Sequence, residues 1–201
     1  MAARLFSDPL MTVSLAFVFP GQGSQSVGMV ADLAARDTSV RATFDEASEG
    51  AGVDLWALSQ QGPEEQLNQT EYTQPALLAA SVAAWRLWQA KGGATPVALA
   101  GHSLGEYSAL VAAGALELRD AAKLVRLRGQ LMQSAVPAGT GAMIAVLGAE
   151  DAVIEAACAD AAQGEVVVPA NFNTPGQVVI GGQTAAVDRA VALLAERGVR
   201  K

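Results

Sequence analysis

The sequence predicts an α/β protein in two parts: a parallel sheet packed between helices over 12–135, then an incomplete β-α-β-β-α-β unit over 136–201. Three observations carry this. Two short apolar runs, LAFVF at 15–19 and PVALAG at 96–101, stop at proline or glycine and have helical stretches between them. Continuous apolar strands alternating with helices indicate a parallel sheet covered on both faces. After VPAGTG at 136–141 the order becomes strand, helix, strand, strand, helix, which is five sixths of a ferredoxin-like unit. Finally, a G-x-S-x-G at 101–105 falls where a strand hands over to a helix.

Taken in order, the strand at Leu15–Phe19 leads through the loop PGQGSQSVGM into a helix over VADLAARD. RATFDEASEG and DLWALSQQG are shorter helical pieces ended by glycine. A long helix starts at Gln74 in QPALLAASVAAWRLWQAKGG, with Pro75 in its first turn and Gly92-Gly93 as its stop. It is apolar nearly all round, as befits a sandwiched helix. A second strand, PVALAG, precedes a helix over SLGEYSALVAAGAL, and another helix runs from Arg119 to about Ser134. The second part reads as a strand in AMIAVLG and a helix in AEDAVIEAACADAA. Strands in EVVVPANFN and GQVVIGG then join through Thr174-Pro175-Gly176, and a last helix has Thr184 as its N-cap.

Composition narrows the functional classes. A chain of 201 residues that is 51% hydrophobic and 16% charged can bury a real core. Its formal charge of −7 argues against nucleic acid and anionic membranes as partners. The single cysteine, Cys158, can form no intrachain disulfide, which fits a reducing compartment; its ordinary role is a buried helix residue. The apolar run near the N-terminus fits a strand better than a signal peptide, with Met11 the expected start and the preceding residues a leader. No stretch reads as a transmembrane span.

Three features can carry chemistry. In GHSLGEYSAL, Ser103 lies between two glycines at the point where a nucleophile elbow would form. Its plainer reading is a helix N-cap after a tight turn. The glycine-rich loop at 20–29 would sit at the same sheet edge and expose backbone N–H groups to an oxyanion or a phosphate; alternatively it is an ordinary turn. Arg128 falls on an apolar stripe formed by Ala121, Leu124, Val125, Leu131 and Met132, opposite Lys123, Arg126, Gln130 and Gln133. There it would need an anion: either a structural partner such as Glu106 or Asp120, or a substrate carboxylate gripped by the guanidinium fork. A serine nucleophile also needs a base, and the sequence holds one histidine, His102, beside Ser103.

Several segments together, FVFPGQGSQSVGM, TQPALLAASVA, AGHSLGEYSALVAAGAL, LRGQLMQ, GTGAMIAVLG and NFNTPGQVVIGG, closely resemble the malonyl-CoA:acyl-carrier-protein transacylase family of bacterial fatty-acid synthesis. The resemblance implies an α/β-hydrolase-like subdomain with an inserted ferredoxin-like subdomain. It also implies a ping-pong transfer from malonyl-CoA to the phosphopantetheine thiol of acyl carrier protein. Ser103 matches the malonylated nucleophile, and Gln22 and Leu104 match the positions whose N–H groups form the oxyanion hole. Arg128 matches the arginine that binds the malonyl carboxylate, His102 a residue that helps hold substrate, and Asn173 a residue lining the site.

The family's base is a histidine just after the ferredoxin-like insertion, so the resemblance implies a C-terminally truncated chain that is inactive or nearly so by itself. It further implies a cytoplasmic protein, monomeric when intact, with no cofactor and no metal. Docking of an acidic carrier protein calls for a local basic patch, with Lys123, Arg126, Arg189 and Arg197 as candidate members. Two other acyl-serine enzymes stay open: a serine esterase or thioesterase, which shares the elbow, and a polyketide-synthase-type acyltransferase. Outside enzymes, the alternative is an inert or binding-only fragment.

Overall fold

A computed structural model describes residues 14–136 and 139–199. The expected leader, Met11 and the chain end at Lys201 lie outside the described residues. The chain divides into two compact units between Gln133 and Ser134. The first is built on β1, Ala16–Phe19, and β2, Ala98–Gly101, paired in parallel with Phe19 opposite Gly101. Because the ends of both strands lie side by side, the loops after them meet at one edge. Ser103 and the 20–29 loop are therefore neighbours although about eighty residues separate them.

Between the strands run α1 (Ala31–Ala34), α2 (Ser39–Ala51), α3 (Leu55–Gln61), α4 (Glu64–Leu67) and α5 (Thr70–Ala90). After β2 come α6, Leu104–Ala112, and α7, Leu118–Ser134. The expected first helix shrinks to one turn behind Val30, which takes a left-handed φ of 58°. α4 was not foreseen, and α5 begins four residues before Gln74, which places Pro75 inside the helix instead of in its first turn. There the Glu71 carbonyl has no N–H four residues on to accept from. α5 is the hub of the unit, as its all-round apolar sequence predicted: every residue from Thr73 to Ala83 is buried. Phe44, Leu55, Leu67, Leu104 and Val125 pack around it in one core.

The sheet departs from the expectation of two covered faces. Phe19 is buried on Trp85, while on the opposite face Val18 is 75% exposed and Ala16, Ala98 and Ala100 beside it are exposed as well. Continuous apolar strands promise two covered faces, and the described residues of this unit supply one.

The second unit contains β3 (Gly141–Leu147), α8 (Asp151–Ala162), β4 (Val167–Thr174), β5 (Gln177–Gln183) and α9 (Thr184–Glu196). Its strands are antiparallel in the order β3-β5-β4, consistent with the predicted β-α-β-β-α sequence of elements. Side chains alternate across the sheet. Val146, Val178 and Ile180 meet Ile154, Ala157, Ala186 and Ala190 beneath the helices, while Met143, Val168 and Phe172 point outward. Cys158 is buried in this core, where desolvation pushes its thiol pKa up. The expected N-cap at Thr184 is displaced by one residue. Gln183 holds the cap position, and its side-chain oxygen instead accepts from the Val166 N–H at 2.7 Å.

Candidate active site

The elbow at Ser103 is a steric construction. A Cβ on Gly101 would stand 2.0 Å from the carbonyl carbon of Gly105, and one on Gly105 would stand 2.3 Å from the carbonyl oxygen of Phe19. Only glycine at both positions lets the turn close on itself and lie against the end of β1. Between them Ser103 is forced to φ 53°, ψ −110°, a backbone conformation that is costly for any residue with a side chain. Bonds from the Gly105 N–H to His102 O (2.9 Å) and from the Glu106 N–H to Ser103 O (3.2 Å) hold the turn.

Ser103 occupies the N-cap position of α6, yet its hydroxyl makes no capping bond. The Oγ is exposed and accepts from Nη2 of Arg128 at 2.9 Å. The plainer reading, a serine retained to cap a helix, therefore fails. Leu104 opens α6, so its N–H has no intrahelical acceptor and belongs to the electropositive end of the helix.

The 20–29 loop packs against this turn: a Cβ on Gly21 would lie 3.1 Å from His102 O. Side-chain and backbone hydrogen bonds pin the loop in place. Gln22 Nε2 donates to Thr70 Oγ1 at 3.1 Å, Gln25 Nε2 to Asn68 Oδ1 at 2.7 Å, and the Gly28 N–H to Ser59 O at 2.8 Å. The loop is thus fixed by the α4–α5 corner, with Gln22 next to the elbow.

Arg128 reaches the site from α7 by a route the sequence did not disclose. The buried face of that helix is Leu118, Ala121, Ala122, Val125 and Gly129, while Leu124, Leu131 and Met132 of the expected stripe are exposed. Close approach selects the small residues: a Cβ on Gly129 would be 2.6 Å from Glu71 Cα, so α7 lies almost backbone to backbone on the start of α5. Arg128, next to that contact, is half-buried. The ion pair with Glu106 or Asp120 is not formed; among the described residues Arg128 has no carboxylate partner. Its Nη1 donates to Gln74 Oε1 at 2.7 Å, and Cζ lies 5.7 Å from the centroid of the Tyr107 ring. Sequence reasoning missed Gln74 because α5 reads as an apolar helix, and one glutamine in it gave no signal.

His102 is exposed and makes no hydrogen bond to Ser103 among the described residues. Asn173 belongs to the second unit. A register shift between Phe172 and Thr174 makes it the extra residue of a β-bulge in β4, at the mouth of a cleft formed by Gly148–Ala152 and the β4–β5 turn. Bulges re-aim side chains. Of the candidate patch residues, Arg126 is bound to the Ala51 carbonyl and Glu71, Arg189 to Glu165 and Arg197 to Asp160, while Lys123 has no ion pair among the described residues.

The chain is similar to known proteins over most of its length. The chain is 60% identical over 186 residues to the malonyl CoA-acyl carrier protein transacylase of Escherichia coli strain K12, an alignment spanning 92% of this chain and 60% of that protein. A crystal structure of a malonyl-CoA:acyl carrier protein transacylase from Xanthomonas oryzae pv. oryzae superposes with a TM-score of 0.90 at 74% identity, over 94% of this chain and 60% of that one. A malonyl-transacylase solved with a type II PKS acyl-carrier protein superposes at 0.89 with 58% identity, over 94% of this chain and 61% of that one. The chain thus spans about 60% of the length of these relatives. The acyl transferase domain family matches residues 16–201, from the first residue of β1 onward. The chain belongs to the acyl transferase domain family.

Proposed function

We propose that this chain carries the acyl-transfer centre of a malonyl-CoA:acyl-carrier-protein transacylase. The observation that bears most weight is the pairing of a strained, exposed serine with a half-buried guanidinium that has no carboxylate partner among the described residues. A half-buried, unpaired positive charge 2.9 Å from a nucleophile is suited to an acyl group that brings its own carboxylate. That feature favours malonyl transfer over a simple esterase or thioesterase.

In this reading Ser103 Oγ attacks the thioester carbonyl of malonyl-CoA. The N–H groups of Leu104 and Gln22 receive the negative charge that develops on the carbonyl oxygen. The tetrahedral intermediate collapses, the C–S bond breaks, and CoA leaves with the proton taken from the serine. The phosphopantetheine thiol of an acyl carrier protein then attacks malonyl-Ser103 and restores the hydroxyl. Arg128 holds the distal carboxylate through both halves, so no cofactor is needed. Among the described residues no imidazole is hydrogen-bonded to Ser103 Oγ, so His102 is assigned to substrate contact and not to proton transfer. Asn173 is assigned to the lining of the site. The reaction is placed in the cytoplasm, in a monomer, with neither nucleic acid nor membrane as a partner; no described helix is long and apolar enough to cross a membrane. The domain limits 12–135 and 136–201 are kept for the two subdomains.

The test is to incubate the intact protein with malonyl-CoA, with and without holo acyl carrier protein. A transacylase forms malonyl carrier protein and little free malonate. A hydrolase releases malonate at the same rate in both, and that result would replace the reading.

A further inference from the structure

Among the described residues Gln74 is the largest fully buried polar side chain of the first unit. It is fully buried in α5, among alanines and leucines, and the reaction outlined above does not use it. A buried amide must have its groups bonded or be destabilising. Its two ends are bonded unequally. Oε1 accepts from Arg128 Nη1 at 2.7 Å, and Nε2 donates to the thioether sulfur of Met132 at 3.4 Å. A thioether can only accept, so Met132 fixes which end of the amide faces the arginine. One Nη of Arg128 is then anchored in the core while the other reaches Ser103 Oγ.

The charge of the anchor matters as much as its position. A carboxylate at the same place would orient Arg128 equally well, but it would also neutralise it. The guanidinium would then have little reason to bind a second anion. An amide orients without neutralising. We propose that Gln74 is the positioning residue for acyl-group selectivity: its buried carbonyl oxygen aims Arg128 at the space beside Ser103 and leaves the full positive charge for a carboxylate on the incoming acyl group. This rests on the malonyl-transfer reading and adds to it the group that determines whether Arg128 is available.

The consequence is a selectivity change from one atom of chemistry. Gln74→Glu keeps size and hydrogen-bond reach but internally pairs Arg128. Gln74→Met keeps the charge of Arg128 and removes its tether. Acylation of Ser103 by malonyl-CoA and by acetyl-CoA, followed by intact mass in the intact protein, reads both variants beside the parent. Thermal melting checks that each variant folds.

The expected result is a malonyl-over-acetyl preference in the parent that falls about tenfold or more in Gln74→Glu, the lower range for close charge pairs. In Gln74→Met acylation should slow for malonyl while malonyl remains preferred. A residue with a merely structural role would lower both donors alike in both variants, and equal losses would overturn the proposal. So would an unchanged preference in a folded Gln74→Glu. If Gln74→Glu does not fold, the Met variant decides alone: malonyl and acetyl losing rate in the same proportion would refute the tether. A parent with no malonyl preference would overturn the malonyl reading itself and this proposal with it, and that failure is recognisable because it appears before any substitution is made.

Discussion

Nη2 of Arg128 donates a 2.9 Å hydrogen bond to Oγ of Ser103, joining the two residues across 25 positions of sequence. The serine comes from an elbow at the end of β2 and the arginine from the middle of α7. Their meeting depends on α7 lying against α5 at Gly129 and on Gln74 holding the other Nη.

Arg128→Ala should therefore separate acyl donors. Its guanidinium is only half-buried, so loss of the charged hydrogen bonds to a carboxylate should weaken malonyl acylation by about 1–3 kcal/mol. Acetyl acylation should be equal or faster, since no charge is then left unpaired beside a methyl group. Single-turnover rates with the two CoA esters measure this; parallel losses would make Arg128 a structural residue.

Gly105→Ala tests the elbow. The new Cβ would stand 2.3 Å from the Phe19 carbonyl oxygen, with backbone on both sides and no flexible atom to yield. Overpacking of this kind costs about 1–3 kcal/mol or more. A lower urea midpoint, with Ser103 less reactive toward a sulfonyl fluoride, is expected. Parent-like values for both would mean that the turn is looser than these contacts imply.

Arg126 and Lys123 looked equivalent in sequence and should behave differently. Arg126 donates to Ala51 O at the end of α2 and lies 3.8 Å from Glu71, whereas Lys123 is exposed. Arg126→Ala should lower stability by about 1–3 kcal/mol through lost charged hydrogen bonds. Lys123→Ala should stay within about 0.5 kcal/mol of the parent. Chemical denaturation of the two variants distinguishes them, and equal stabilities would return Arg126 to the surface.

Asp37 gives a pH signature. Hydrogen bonds from the Ser39 hydroxyl first, then from Lys91 and the Ser39 N–H, hold its carboxyl down at about 2, below the ordinary 3.8. A depressed folded-state pKa favours the folded protein once the carboxylate is ionised. Its stabilisation is thus present above about pH 4 and lost as pH falls from about 4 to 2. The difference in melting temperature between the parent and Asp37→Asn should be largest near neutrality and shrink steadily as pH falls from about 4 to 2. A gap that stays constant from neutrality to pH 2 would assign the effect to something other than ionisation.

Much of this was legible because local steric demands leave marks in sequence. The two glycines around Ser103 and the apolar runs before the two loops pointed to the elbow and its sheet edge. The order β-α-β-β-α was readable from alternation and turn residues. What stayed hidden depends on how closely helices approach. Nothing local in LRGQLMQ says that Gly129 will meet Glu71, and so the exposed Leu131 was expected on the buried side. The same contact decides the partners of Arg128, which in sequence could equally have paired with Glu106. The Thr184 cap failed for a similar reason: the preceding strand keeps Gln183 in extended backbone up to the helix.

The most direct test of the account is to locate the acyl group itself. The intact protein is mixed with malonyl-CoA, quenched in acid and digested, and the modified peptide is sequenced by mass spectrometry. One malonyl group on Ser103, absent from Ser103→Ala, is the expected result. A malonyl group on any other residue, or undiminished labelling of Ser103→Ala, would contradict it.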